Sequence, residues 1–249
     1  MVMQVFPLPW DFVAILLVLG IIVPWRGGVR MRALMARPQV SSAERISIYV
    51  STIAFQWFAA GITTWRVIAR GWSLDLLGLS PGSPASGIAL GAAMAVVLGA
   101  LQFASLRQLS RLPPEKRGHL YRIASKLMPQ NLTEALPFVA LVCTVSLCEE
   151  FLYRGFAFAI FQDLGGESTA VAIAGSSALF AAGHLYQGRR GVANTFVLGL
   201  LFAGARAWSG SLVPSIVAHL TVDLVAGLAG RRLAGDGAPD AGEAQRPAE

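Results

Sequence analysis

Charged residues are scarce in this chain. Only 14% of its 249 residues are Asp, Glu, Lys or Arg, whereas a typical soluble domain has about 25%. Fifty-five per cent of the residues are hydrophobic, and the mean hydropathy is +0.58. This composition excludes an ordinary soluble domain and indicates a membrane protein.

Cysteine is rare, and several catalytic signatures are absent. Cys143 and Cys148 lie in one apolar segment, at a spacing that places them on different helix faces, so we expect no disulfide between them. The sequence contains no GxSxG elbow, no HExxH pair and no glycine-rich phosphate loop. These absences exclude α/β-type serine hydrolases, zincin metalloproteases and P-loop proteins.

Basic residues outnumber acidic ones, 20 to 14. They form no patch interleaved with aromatic residues, so we expect no nucleic-acid partner. They occur instead in short segments between apolar runs, a distribution typical of membrane topology signals. The partner that this pattern indicates is the lipid bilayer.

Seven apolar runs predict an all-α, polytopic transmembrane bundle of about seven spans. The first run has no basic region before it and several arginines after it, so we expect a retained span and not a cleaved signal peptide. The fourth run is long because its apolar pattern continues through a pair of glutamates. The predicted spans are 9–25, 46–66, 85–106, 134–161, 168–187, 192–208 and 210–230.

With seven spans, the basic segments all fall on one side of the membrane. These segments are 26–45, 107–133, 188–191 and the pair Arg231 and Arg232. The positive-inside rule makes this side cytoplasmic, so the N-terminus is predicted outside and the C-terminus inside.

Three further features concern the organisation of the chain. Residues 113–130 predict an interfacial amphipathic helix on which His119 faces solvent or lipid headgroups. Gly87 and Gly91 form a GxxxG pattern, which predicts close helix packing within the bundle. We divide the chain into N-terminal spans and loops, a helical core and a disordered cytoplasmic tail rich in Ala, Gly, Pro and acidic residues. These regions are 1–133, 134–230 and 231–249.

The fourth run contains three charges, in "LCEEFLYRGF" at residues 147–156. A charge at the centre of a span costs roughly 2.5–3.5 kcal/mol on insertion scales, so each needs a partner or water. Glu150 and Arg154 are four residues apart and share a helix face, which predicts an ion pair. Glu149 lies about 100° away around an α-helix, so we expect it to point elsewhere.

Two later runs each carry a histidine, in "FAAGH" (180–184) and "HLTVD" (219–223). We expect Glu149 to point towards His184 and His219. Asp223 is four residues from His219 and can reach its ring, while Phe180 shares a face with His184 and could wall the pocket. Ionisable groups on three spans are typical of a site built inside a helix bundle.

Two mechanisms use this set of side chains. In the first, His184, His219 and Glu149 bind Zn²⁺, and a metal-bound water becomes the nucleophile. In the second, no metal is needed: Glu149 activates a water as general base, and the two histidines donate hydrogen bonds to the developing oxyanion. Both routes lead to hydrolysis of a peptide bond inside the membrane.

The three motifs resemble EExxxR, FxxxH and Hxxx(N/D) of the CPBP intramembrane proteases, also called the CAAX-protease and bacteriocin-processing (Abi) family. The resemblance covers about 134–230. It implies that Glu149 is the catalytic carboxylate, that Glu150 and Arg154 support it, and that His184, His219 and Asp223 complete the site. It also favours the glutamate-type mechanism without a cofactor, with zinc as the alternative.

One position departs from the CAAX branch, which typically has Asn where this chain has Asp223. The composition is of a bacterial type, so we predict the plasma membrane of a bacterium and a membrane-anchored protein or peptide as substrate, in place of a prenylated one. A non-catalytic immunity or scaffold protein and a proton-coupled transporter are the alternatives, since buried Glu and His also carry protons. The oligomeric state is not predicted.

Overall fold

The computed structural model describes residues 8–80 and 84–235 of the chain. Within these ranges every regular element is a helix, so the predicted all-α class is confirmed. Most of the predicted tail, residues 236–249, lies outside the described residues. The helices are α1 Trp10–Met35, α2 Ser42–Ala69, α3 Pro84–Ser110, α4 Gly118–Leu127, α5 Leu132–Leu164, α6 Thr169–Gly183, α7 Gly188–Ser209 and α8 Val213–Gly235, with short 3₁₀ turns at Pro114–Lys116 and Leu185–Gln187.

Five helices are long and apolar enough to cross a membrane, which makes this a multi-pass membrane protein. They are α1, α2, α3, α5 and α7 with its preceding turn. The two other predicted spans also lie on helices, α6 and α8. The 15 residues of α6 rise only about 22 Å at 1.5 Å per residue, less than the roughly 30 Å of a bilayer core. The predicted count of seven full spans is therefore not confirmed.

The first predicted span ends too early. The helix continues to Met35, so Arg26, Arg30 and Arg32 lie on α1 and not in a loop. The guanidinium of Arg30 donates to the Ser51 hydroxyl of α2 at 2.7 Å. The arginines thus mark where the apolar stretch ends, whereas the hydrogen-bonded helix runs on.

Two helices contain π-helical stretches, where the backbone turn is wider than in an α-helix. In α1 the stretch is Val18–Ile22, which ends two residues before Pro24. Proline lacks an N–H and frees a carbonyl in the preceding turn, so the irregularity has a local cause. In α5 the stretch is Glu150–Ala157, and all eight of its residues are buried.

The basic segments meet at one end of the bundle. The Lys126 ammonium on α4 donates to the Leu34 carbonyl at the end of α1 at 3.3 Å. His119 is exposed, as predicted, and its Nε2 lies 3.1 Å from the carbonyl oxygen of Tyr186. The predicted amphipathic helix is thus present, and it touches the turn that follows α6. Which side of the membrane this end faces stays a prediction.

The opposite end is held by other contacts. Asp11 is buried and pairs with Arg66 at 2.6 Å and with Arg70 at 3.0 Å. The loop after α2 packs inward: Leu77 is fully buried, and the amide of Leu212 donates to the Gly78 carbonyl at 2.9 Å. Asp11 lies inside a predicted span, and its pairing was missed from sequence.

Glu134 locks α2 to the start of α5. It is fully buried and accepts hydrogen bonds from Arg45 at 2.8 Å and from the Gln130 amide at 2.7 Å, as well as from Ser42 and Asn131. These contacts cross the predicted boundary at residue 133, so the N-terminal helices pack directly on the helical core.

Two smaller predictions are also decided by the structure. Gly91 allows α3 to approach α8 closely, because a Cβ there would lie 3.2 Å from the Cα of Pro214. Gly91 of the GxxxG pattern therefore serves packing within the bundle. Both cysteines are free, as expected.

Candidate active site

The charged segment of α5 forms the centre of the bundle. Glu150 and Arg154 are both fully buried. The Arg154 Nη1 donates to Glu150 Oε1 at 3.0 Å, so the predicted ion pair is confirmed. The apolar core surrounds it, with Leu152, Phe156 and Ile160 from the same helix.

The partner of His219 differs from the prediction. Its Nδ1 lies 2.9 Å from Oε1 of Glu150, not of Glu149. Glu149 was expected to point towards His219, but the hydrogen bond to that ring nitrogen is made with Glu150. A carboxylate oxygen can accept two hydrogen bonds, so the pair with Arg154 leaves room for the imidazole on the same atom.

His219 lies between two carboxylates. Its Nε2 is 3.6 Å from Asp223 Oδ2, within ion-pair distance, and Asp223 is the partly exposed partner with 37% of its side chain accessible. The imidazole stacks on Phe202 at 5.5 Å with an interplanar angle of 25°. A carboxylate oxygen thus lies near each ring nitrogen of His219. This arrangement suits an imidazolium, in which both nitrogens are donors.

Two aromatic rings enclose the Arg154 guanidinium. Its carbon lies 3.9 Å from the Phe180 ring centroid and 5.3 Å from that of Phe202. Within the described part of the chain, its Nε and Nη2 have no hydrogen-bond partner. Cation–π contact therefore takes the place of further hydrogen bonds. Phe180 was predicted as a wall of the site, and Phe202 was missed because nothing in the motifs points to α7.

Glu149 turns away from the ion pair, towards α2. The Gln56 Nε2 donates to Glu149 Oε1 at 2.8 Å. Oε2 is buried and has no hydrogen-bond partner among residues 8–80 and 84–235. Gln56 was missed from sequence, where the only signal was an amide inside the apolar run 46–66.

His184 directly follows the last residue of α6. The sequence had placed it inside a helical span, at 168–187. α6 ends at Gly183, and His184 has φ −108° and ψ 17°. Its Nδ1 is 2.8 Å from the Phe180 carbonyl oxygen, so Nδ1 carries a proton that it donates there. The ring lies 4.7 Å from that of Phe180. Nε2 is left for another partner, since none of the described residues hydrogen-bonds it.

The side chains as placed do not fit the zinc alternative. A zinc site takes at least three converging protein ligands, and no group of three or more His, Cys, Asp or Glu side chains among the described residues could hold a metal ion. His219 uses Nδ1 on Glu150, and Glu149 uses Oε1 on Gln56.

An open, largely apolar groove of about 590 Å³ lies beside the site. Its walls come from α1, with Trp25, Met31 and Arg32 among them, and from Leu185 and Tyr186. The Tyr186 ring is 5.9 Å from that of His184. The groove thus approaches the turn after α6 from the end of the bundle that carries the basic segments.

Comparison with known proteins finds a match to a protein-family model. Residues 131–225 match the family model described as "Type II CAAX prenyl endopeptidase Rce1-like". No curated protein matches, and no solved structure matches. The matched range contains all three motifs, from Glu149 on α5 to Asp223 on α8. This segment is therefore similar to an Rce1-like type II CAAX prenyl endopeptidase domain, in agreement with the CPBP resemblance of the three motifs.

Proposed function

We propose that this protein is an intramembrane endopeptidase that hydrolyses a peptide bond of a membrane-associated protein or peptide. The observation that carries the proposal is the position of Glu149. It is a half-buried carboxylate with one oxygen held by Gln56 and one without a partner in the described residues. It lies in the segment that matches an endopeptidase family.

In the proposed reaction, Glu149 Oε2 takes a proton from a water molecule. The resulting hydroxide attacks the carbonyl carbon of the scissile bond, and the electron pair moves to the carbonyl oxygen. The Glu149 carboxyl then returns its proton to the leaving amine as the C–N bond breaks. A positioned base of this kind contributes about 10²- to 10⁴-fold to the rate.

In the proposed reaction, His184 stabilises the negative charge that develops on the carbonyl oxygen of the substrate. A protonated His184 keeps its Nδ1–H on the Phe180 carbonyl and donates from Nε2 to the substrate oxygen. His219 has both nitrogens facing carboxylates, so its assigned role is to hold Glu150 and Asp223 in place. Arg154 balances the charge of Glu150, so that the segment carrying Glu149 is stable inside the bundle.

We also propose how the protein is oriented in the membrane. The end that carries the basic segments faces the cytoplasm of a bacterial cell, in accordance with the positive-inside rule. The substrate enters along the groove beside Tyr186, whose apolar walls suit the membrane-embedded part of a substrate.

The test is cleavage of a bilayer-inserted, internally quenched hydrophobic peptide in proteoliposomes. We expect Glu149→Gln to lower cleavage by about 10²- to 10⁴-fold, with unchanged folding by circular dichroism. Glu115→Gln is the matched control, because Glu115 is exposed in the 3₁₀ turn before α4. Full activity of folded Glu149→Gln protein would refute the mechanism. Activity that is lost in chelator and restored by zinc would replace it with the metal route.

A further inference from the structure

Gln56 joins the N-terminal helices to the site. Its side chain is buried, with 9% exposure, and its amide donates to Glu149 Oε1 at 2.8 Å. Residue 56 lies outside the range 131–225 that matches the family model. The contact therefore comes from the part of the chain that the family resemblance does not cover.

The chemistry of the contact determines which amide atom faces Glu149. An ionised carboxylate only accepts hydrogen bonds, so the NH₂ group and not the carbonyl of Gln56 must face it. A hydrogen bond to a charged group is stronger than one between neutral groups. The bond holds Oε1 and leaves Oε2 as the oxygen without a partner in the described residues.

The helix that carries Gln56 holds it rigidly. The buried residues Tyr49, Gln56, Ala60, Thr63 and Val67 form one stripe along α2. The stripe is fixed at one end by the Tyr49 ring, 5.7 Å from that of Phe138 on α5, and by the ion pair of Arg45 with Glu134. A buried amide without a partner costs free energy, and its bond to Glu149 satisfies this one.

We propose that Gln56 is a positioning residue for the reaction. It fixes the carboxylate of Glu149 so that Oε2 points at the attacking water. This inference rests on the proposed function, since it assigns Gln56 a role only if Glu149 is the base. A positioning role predicts a loss in kcat with little change in KM, because Gln56 acts on the base and not on the bound substrate.

The experiment uses Gln56→Met, which keeps the side-chain length and removes the donor. Cleavage of the internally quenched peptide is measured in proteoliposomes. We expect kcat to fall about 10- to 100-fold, the range for losing a hydrogen bond to a charged group, with KM within about threefold. Gln56→Asn is the second variant: it keeps a polar amide but is one methylene too short to reach Glu149, so it should lose kcat similarly.

Thr63→Val is the matched control. Thr63 is buried in the same stripe and bonds only the Ala59 carbonyl of its own helix, at 2.8 Å. We expect its kcat to stay within about twofold of wild type. Gln56→Met and Thr63→Val should both stay folded, as judged by circular dichroism.

Three outcomes would overturn the inference: wild-type kcat in a folded Gln56 variant, a change in KM alone, or a kcat loss that Thr63→Val reproduces. Glu149→Gln separates this failure from that of the proposed function. If Glu149→Gln is inactive while the Gln56 variants turn over normally, only the positioning role falls. If Glu149→Gln is active, both fall.

Discussion

Replacing Arg154 by Met tests whether the buried ion pair holds the motif segment in place. Arg154 is fully buried, and its guanidinium contacts Glu150 at 3.0 Å and the Phe180 ring at 3.9 Å. Met fills much of the same space but leaves Glu150 with His219 as its remaining charged partner. Breaking a buried pair in this way typically costs about 3–5 kcal/mol. The lost cation–π contact is worth about 2 kcal/mol when desolvated. We do not add it to the cost of breaking the pair, because the same guanidinium makes both contacts.

The measurement is the free energy of unfolding in mixed detergent micelles, titrated with a denaturing detergent. We expect Arg154→Met to lose about 3–5 kcal/mol, and the exposed Arg122→Met to change by no more than about 0.5 kcal/mol. The double variant Glu150→Gln with Arg154→Met removes both charges, so it should lose less than the sum of the two single changes. A loss below about 1 kcal/mol for Arg154→Met would refute the reasoning, since a buried carboxylate cannot lose its main counter-charge so cheaply.

Two further substitutions test the packing that supports this segment. Gly155→Ala places a Cβ 3.1 Å from the Leu77 carbonyl oxygen, so we expect a loss of about 1–3 kcal/mol by overpacking; Gly204→Ala, with nothing within 4 Å, should be neutral or stabilising. Equal effects of the two changes would contradict the close approach of Leu77. Glu134→Ala leaves Arg45 buried without its carboxylate, so we expect a loss of about 3–5 kcal/mol, against little change for exposed Glu115→Ala. An unchanged unfolding midpoint for Glu134→Ala would show that it does not lock α2 to α5.

The helices were largely predictable because apolar runs report where a chain can enter a bilayer. Every predicted span corresponds to a helix, and the amphipathic helix near His119 is present. Helix ends were not predictable in the same way. A position on α1 suits Arg30, because its long side chain reaches the polar Ser51 hydroxyl of α2. Hydropathy marks where the apolar stretch ends, and not where the backbone hydrogen bonds of the helix end.

The site was predictable where spacing along one helix determines the contact. Glu150 and Arg154 pair as expected because residues four apart are neighbours on a helix. The contact of His219 with Glu150 was not predictable, because it depends on how α8 packs against α5. The wider π-helical turn from Glu150 to Ala157 also changes the directions assumed for an α-helix. Gln56 lies 93 residues before Glu149, and no local rule connects them.

The π-helical stretch explains why the N-terminal helices matter to the motif. Such turns are rare and occur often at functional sites. Parts of the chain outside the motifs contact this one. The backbone of Leu77 packs against Gly155 within the stretch, and Gln56 holds Glu149 directly before it. Both residues lie outside the matched range 131–225. Part of the geometry of the three motifs therefore comes from helices and a loop that the motifs do not include.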